Sequence, residues 1–193
     1  DLFTIDSCDT APSVVDTRWL FLTSGSAGTP KIISHCFDAL VKSTFVKNEA
    51  TKVWSSLFDP MRFAGIQLFL HCVSTCSTMV VPSSSSPLAN KAAFIAKQNC
   101  NAISATPSAL RALMTCLEFK QLELNQITIG GEVVTDDLLD TLKRCFYKAK
   151  LTHIYASTEG GVGFVVSDGI AGIPISLFER LADVVKISQG SLW

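Results

Sequence analysis

A chain of 193 residues with a net charge of −1 and 17% charged residues is long enough for one large domain or for part of a bigger one. An average globular domain carries about 25% charged residues; the lower value here, with 48% apolar residues, fits parallel strands that are apolar on both faces. No basic stripe runs along the chain, so nucleic acid is excluded as an expected partner.

In chain order, apolar strand-like runs at 19–23, 31–34, 52–57, 77–81, 102–105, 126–130 and 151–155 alternate with helix-like runs at 37–47, 62–74, 88–98, 107–117 and 135–146. This alternation predicts an α/β fold, a mainly parallel sheet flanked by helices. Thr106 can cap a helix that has Pro107 at its first position. Thr135 precedes Asp136 and Asp137, whose charges suit a helix N-terminus, and Lys143 and Arg144 sit near the other end. The serine run between Val81 and Pro87 reads as a solvated connector. After Gly163 the pattern breaks into short strand-like pieces separated by Asp168-Gly169, by Gly172 to Pro174 and by Gln189-Gly190. That break predicts a partial α/β core over 1–165 and the start of a smaller β subdomain over 166–193. The chain begins at Asp1 and stops at Ser191-Leu192-Trp193, which reads as a strand cut in mid-sheet. A truncated domain is therefore expected, and the apolar faces of such a piece predict self-association.

Seven cysteines (Cys8, Cys36, Cys72, Cys76, Cys100, Cys116 and Cys145) are odd in number and irregular in spacing. They form no disulfide framework and are expected as reduced core residues in a cytoplasmic protein. His35-Cys36, and His71-Cys72 with Cys76, lack metal-ligand spacing. The stretch 63–82 contains no charged residue. Gln67, His71 and repeated hydroxyl residues interrupt it, so it is read as a buried helix running into a strand rather than a membrane span. No N-terminal signal segment is present.

Two segments carry the chemistry. Thr23-Ser24-Gly25-Ser26-Ala27-Gly28-Thr29-Pro30-Lys31 follows the apolar run Trp19-Leu20-Phe21-Leu22. A loop of this kind can bring backbone N–H groups, hydroxyls and one ammonium to a polyphosphate, and its glycines permit close backbone approach. It is not a Walker A loop, because Lys31 is followed by Ile32. Tyr155-Ala156-Ser157-Thr158-Glu159-Gly160-Gly161 closes the run that starts at Leu151. Its aromatic face suits a purine, and a carboxylate next to phosphates suits Mg²⁺, which commonly uses one or two carboxylates plus phosphate oxygens. Together the two segments describe a nucleoside triphosphate site.

With Ser34-His35 after it, the first segment resembles the phosphate-loop motif of the adenylate-forming superfamily, which includes acyl- and aryl-CoA ligases, luciferases and peptide-synthetase adenylation domains. Tyr155 to Glu159 resembles that family's Tyr-Gly-x-Thr-Glu motif, with Ala156 where glycine is usual, and Gly130-Gly131-Glu132 resembles its Gly-Gly-Glu step. The similarity spans roughly residues 18 to 193. The family's later ribose-binding aspartate and its C-terminal domain with a catalytic lysine have no counterpart in this stretch.

The resemblance implies ATP-dependent activation of a carboxylic acid to an acyl-adenylate. Thioester formation with CoA or the phosphopantetheine of an acyl carrier protein would follow. It implies that Thr23, Ser24, Gly25, Ser26, Gly28, Thr29 and Lys31 hold the phosphates and that Thr158 bonds the α-phosphate. It also implies that Gly130, Gly131, Glu132, Tyr155, Ala156 and Ser157 line the nucleotide site and that Glu159 binds Mg²⁺. Thr158, Glu159 and Lys31 are the expected catalytic groups. His35 is either a satisfied core histidine or a substrate contact. Phe58-Asp59 falls where amino-acid activators carry a Phe-Asp motif, whereas Phe63-Ala64-Gly65 is closer to the CoA-ligase pattern. Two alternatives stay open: amino-acid adenylation, and a non-catalytic remnant that binds nucleotide or serves as an assembly partner.

Overall fold

The computed structural model describes residues 17–23, 31–42, 44, 49–175, 187–188 and 191–192. Its centre is a six-stranded sheet with the order β4-β3-β5-β6-β7-β8, formed by β3 (Val53–Ser56), β4 (Thr78–Val80), β5 (Ala102–Ala105), β6 (Gln126–Gly130), β7 (Lys150–Ser157) and β8 (Gly161–Val166). The first five are mutually parallel, and β8 closes the edge antiparallel to β7. β5 shows why such strands read as uncharged, mostly apolar runs, since all four of its residues are buried.

One face of the sheet, with Ile103, Ile127, Ile129 and Leu151, packs on α3 (Leu88–Lys97), α4 (Pro107–Leu113), α5 (Leu117–Lys120) and α6 (Asp136–Cys145). The other face meets α2 (Phe63–Ser74), where Leu68 and Cys72 contact Trp54 and Ala102. A second apolar stripe of α2, with Phe63, Ile66 and Leu70, packs on Phe21 and Leu40. Burial on two sides explains the uncharged stretch 63–82. No helix among the described residues is long and apolar enough to cross a membrane.

The strands at 19–23 and 31–34 form an element of their own. β1 (Arg18–Thr23) and β2 (Lys31–Cys36) make an antiparallel hairpin that stands as a separate two-stranded sheet. β9 (Ile187–Ser188) and β10 (Ser191–Leu192) pair likewise.

Several elements depart from expectation. The helix expected over 37–47 is α1 (Phe37–Val41), with Lys42 as its C-cap; positions 43 and 45–48 lie outside the described residues. The run 107–117 breaks after Leu113. There the Thr115 hydroxyl donates to the Ala112 carbonyl (2.7 Å) and the Cys116 N–H to the Leu113 carbonyl (2.9 Å), which closes the turn before α5 begins. Thr106 caps α4 as expected, its Oγ1 accepting from the Ala109 N–H at 3.2 Å. Thr135 occupies the N-cap of α6 without a side-chain cap bond; its Oγ1 accepts from Arg111 Nη2 at 2.7 Å instead. Of the cysteines, Cys72 and Cys100 are buried, and burial pushes each thiol up to about 11. Cys76 and Cys145 are exposed rather than in the core.

α2 and α3 both end in Schellman geometry. After α2 the Ser77 N–H reaches the Cys72 carbonyl (2.8 Å) and the Cys76 N–H reaches Val73 (3.3 Å). After α3 the same pair runs from Cys100 to Ile95 and from Asn99 to Ala96. The left-handed positions are Cys76 (φ 52°) and Asn99 (φ 53°).

Candidate nucleotide site

Topology fixes where ligands can gather. From β3 the chain crosses to β4 on one side, then returns to β5 on the other, so the sheet order reverses between β3 and β5. In open α/β sheets the crevice lies beyond the carboxyl ends of the strands at such a point. Phe58 and Asp59 follow β3, Thr106 follows β5, Gly131 follows β6, and Thr158 and Glu159 follow β7.

The Gly130-Gly131 turn is held open by conformation. Gly131 has φ +80°, and a Cβ there would lie 3.5 Å from Thr106 Cγ2 and 3.6 Å from Phe58 Cε1. Gly130 pairs with Ile154 in the β6–β7 register. Tyr155 follows Ile154 in β7 and Gly131 follows Gly130, so the half-buried ring and the glycine turn stand at the same end of neighbouring strands. The ring is braced edge-on by His153 (centroids 5.5 Å) and Phe164 (6.5 Å). Burial raises the Tyr155 phenol above its ordinary value, and a backbone hydrogen bond from Gly172 partly opposes the rise. Burial also lowers the His153 imidazole.

Glu132 does not face the turn with a free carboxylate. Its Oε2 accepts from the Ser108 N–H (2.9 Å) and the Ser108 hydroxyl (2.6 Å) at the start of α4, and these bonds hold its carboxyl below the ordinary carboxylate range. Ala156 has ordinary strand geometry and is exposed, so its methyl group costs nothing where the family motif has glycine. A bulge beside it leaves one β8 residue, Gly163, between Val162 and Phe164, the partners of Ala156 and Tyr155. Ser157 Oγ accepts from the Gly160 N–H at 2.9 Å and folds the turn that presents Thr158 and Glu159; Glu159 is exposed.

Of the first segment, Thr23 and Lys31 are described and face each other across the hairpin. Ser24, Gly25, Ser26, Gly28 and Thr29 lie outside the described residues. Thr23 Oγ1 is buried and has no hydrogen-bond partner among the described residues. The hairpin meets the Thr158 turn through His35, whose Nε2 lies 2.6 Å from the Thr158 carbonyl oxygen. A carbonyl only accepts, so the ring carries a proton on Nε2. Its flanks touch Phe21 (5.8 Å) and Phe63 (5.4 Å). His35 is thus hydrogen-bonded through its ring, a role that sequence reasoning left open. No group of three or more His, Cys, Asp or Glu side chains gathers as metal ligands among the described residues. A lone exposed Glu159 suits a cation that takes most of its ligands from phosphate and water.

Comparison with known proteins identifies the family and the fold. The family described as AMP-binding enzyme matches residues 7–183, and the chain belongs to it. Surfactin synthase subunit 1 of Bacillus subtilis is 29% identical over 157 residues, covering 73% of this chain and 4% of that subunit. The N-terminal subdomain of Klebsiella oxytoca NpsA, solved with 3-hydroxybenzoyl-AMSN, superposes with a TM-score of 0.69 at 16% identity, over 87% of this chain and 44% of that one. The O-succinylbenzoate coenzyme A synthetase MenE of Bacillus subtilis, solved with ATP and a magnesium ion, gives 0.62 at 18% identity, over 77% and 32%. The chain therefore spans a small part of its curated relatives and less than half of these structures. Its fold is that of the N-terminal domains of adenylate-forming enzymes, a family of ligases that includes acyl-CoA synthetases and peptide-synthetase adenylation domains.

Proposed function

We propose that the protein carrying this chain joins a carboxylic acid to ATP, forming an acyl-adenylate and releasing pyrophosphate, and then passes the acyl group to the thiol of CoA or of carrier-protein phosphopantetheine. The observation that carries this reading is the contact between β2, which leaves the hydroxyl- and glycine-rich loop, and the Thr158-Glu159 turn. It supports the reading because it joins the strand that follows that loop to the turn carrying Thr158 and Glu159.

In the first step a carboxylate oxygen attacks the α-phosphorus, and the bond from that phosphorus to the bridging oxygen of pyrophosphate breaks. The residues' part is binding and orientation. The glycine floor at 130–131 and the Tyr155 ring receive the base. Glu132, tied to Ser108, holds that turn in place, with the exposed Ala156 and Ser157 at its rim. Thr158 donates to the α-phosphate, while Thr23, Lys31 and positions 24, 25, 26, 28 and 29 meet the leaving phosphates. Mg²⁺ held by Glu159 would supply neutralisation of charge developing on the phosphate oxygens. ATP–pyrophosphate exchange across a panel of acids, with and without Mg²⁺, tests the reading on the full-length protein. Exchange stimulated by one class of acid is expected, and none with any acid would overturn it.

A second reading, activation of an amino acid, is favoured by one feature. Phe58 lies beside Gly131, and the next residue, Asp59, is exposed, its carboxylate accepting from the Met61 N–H at 2.9 Å and lying 3.9 Å from Arg62 Nε. A carboxylate there can pair with a substrate ammonium. The similarity to a relative named as a nonribosomal peptide synthetase, of Aspergillus fumigatus, supports this variant. Exchange with amino acids that is lost in Asp59→Ala, with no exchange for acids lacking an amino group, would select it.

A further inference from the structure

We propose that Asp136 and Lys143 are positioning residues that clasp the segment 168–172 along one face of α6 and, through it, hold the hydroxyl end of the Tyr155 ring; this inference rests on the nucleotide-site reading above. β8 leaves the sheet at Val166, opposite His153. By Gly172 the chain has turned back to Tyr155, two residues further along β7, where its backbone gives a hydrogen bond to the Tyr155 hydroxyl. Between those points it runs as a strap alongside α6.

Two bonds attach the strap to the helix. Lys143 Nζ donates to the Gly169 carbonyl at 2.7 Å, and the Ala171 N–H donates to Asp136 Oδ1 at 2.9 Å. Asp136 and Lys143 lie about two turns apart, so both project from one face, about 10 Å from each other along the axis. The strap therefore runs antiparallel to α6, from its last turn to its first. A further bond, from the Ile170 N–H to Asp168 Oδ1 at 2.9 Å, shapes the strap without attaching it. Gly169 has φ +76°, and a Cβ there would lie 3.1 Å from Lys143 Cε, so the lysine stem rests on bare backbone. Ala171 packs against the large core cluster, whereas Asp168, Ile170 and Gly172 are exposed. With so little apolar burial, the placement of the strap depends on its polar attachments.

The strap acts on Tyr155 at its oxygen, whereas His153 and Phe164 meet its ring. Removing that oxygen alone therefore separates the share of the clasp from theirs. Asp136 also stands in the first turn of α6, where its charge favours the helix. Asp136→Ala and Asp136→Asn both lose that charge, but the asparagine keeps an oxygen that accepts from the Ala171 N–H. The pair distinguishes a clasp from a charge at the helix end.

The test is steady-state ATP–pyrophosphate exchange by the full-length protein. Asp136→Ala is expected to raise the KM for MgATP about 5-fold or more, while the KM for the acid shifts by less than about 2-fold. Asp136→Asn should stay within about 2-fold of wild type on both. In Tyr155→Phe no hydroxyl is left for the strap to hold, and adding Asp136→Ala should raise the KM for MgATP by less than about 2-fold further. Lys143→Met, at an exposed position, should reproduce the split and its loss in Tyr155→Phe, and it carries the comparison if Asp136→Ala does not fold. Four results would overturn the proposal in favour of a plain structural role: no change in either clasp variant, equal effects on both substrates, Asp136→Asn as impaired as Asp136→Ala, or an undiminished effect in Tyr155→Phe. A wild type that exchanges pyrophosphate with no acid removes the nucleotide reading itself, an outcome distinct from the others.

Discussion

Glu159 sits exposed immediately after a carbonyl that His35 already holds, so its backbone is restrained while its carboxylate faces solvent. Replacing an exposed glutamate costs about 0.5 kcal/mol or less in folding, whereas removing a metal-binding charge costs several kcal/mol in the transition state. Glu159→Gln is therefore expected to leave the thermal midpoint nearly unchanged and to lower Mg²⁺-dependent pyrophosphate exchange about 100-fold or more. Wild-type exchange in this variant would remove the carboxylate from the metal assignment. The adjacent glycines separate conformation from crowding. A Cβ on Gly131 meets only ordinary contacts, at 3.5 and 3.6 Å, but the residue sits at φ +80°; Gly130 needs no positive φ. Gly131→Ala should destabilise by about 1–2 kcal/mol through its backbone alone. Gly130→Ala should cost less, and chemical denaturation of the pair checks the order. The reverse order would mean that the turn is limited by space rather than by φ.

Among the elements, the helix ends hold a correctable strain. Asn99 is a residue that tolerates the left-handed region, and Cys76 is not, yet both occupy the same position in the same Schellman geometry. Cys76→Gly should stabilise the fold by about 0.5–1 kcal/mol, because relief of strain exceeds the added chain entropy. Asn99→Gly should be nearly neutral, and a denaturation midpoint that falls for Cys76→Gly would contradict this account. The ends of both helices were legible within a residue, at 74 and 98, but the shared Schellman geometry and the strain at Cys76 were not. The parallel strands were legible because burial on both faces leaves short uncharged runs such as Ala102-Ile103-Ser104-Ala105. Thr106-Pro107 likewise announced α4 through its local chemistry. The break before α5 depends on the Thr115 hydroxyl bonding back to the preceding turn, a competition that periodicity does not report. At the site, the motif residues could be named one by one. Their joining by His35, and the commitment of Glu132 to Ser108, depend on contacts between distant segments and required the folded chain.

For the molecule as a whole, the hairpin is the exposed apolar feature. Leu20, Leu22 and Ile32 are 67%, 69% and 66% exposed and lie on one side of it. Apolar strips of this kind promote association. The isolated 193-residue chain is expected to self-associate in sedimentation at micromolar concentration, and Leu22→Lys with Ile32→Lys should shift it towards monomer. A monomeric parent chain would contradict this. The same hairpin has a consequence during synthesis. Its strands leave the ribosome early, but the carbonyl that His35 grips is made 123 residues later, a delay of about 6–25 s at usual elongation rates. Until α2 is made the nascent ribbon has no apolar face to dock on, and until β7 is made its hydrogen bond to Thr158 cannot form. Translation speed over the stretch between them therefore sets how long the growing polypeptide depends on chaperone cover, and slower codons there would lengthen the period in which two ribosomes on one message can tangle their products.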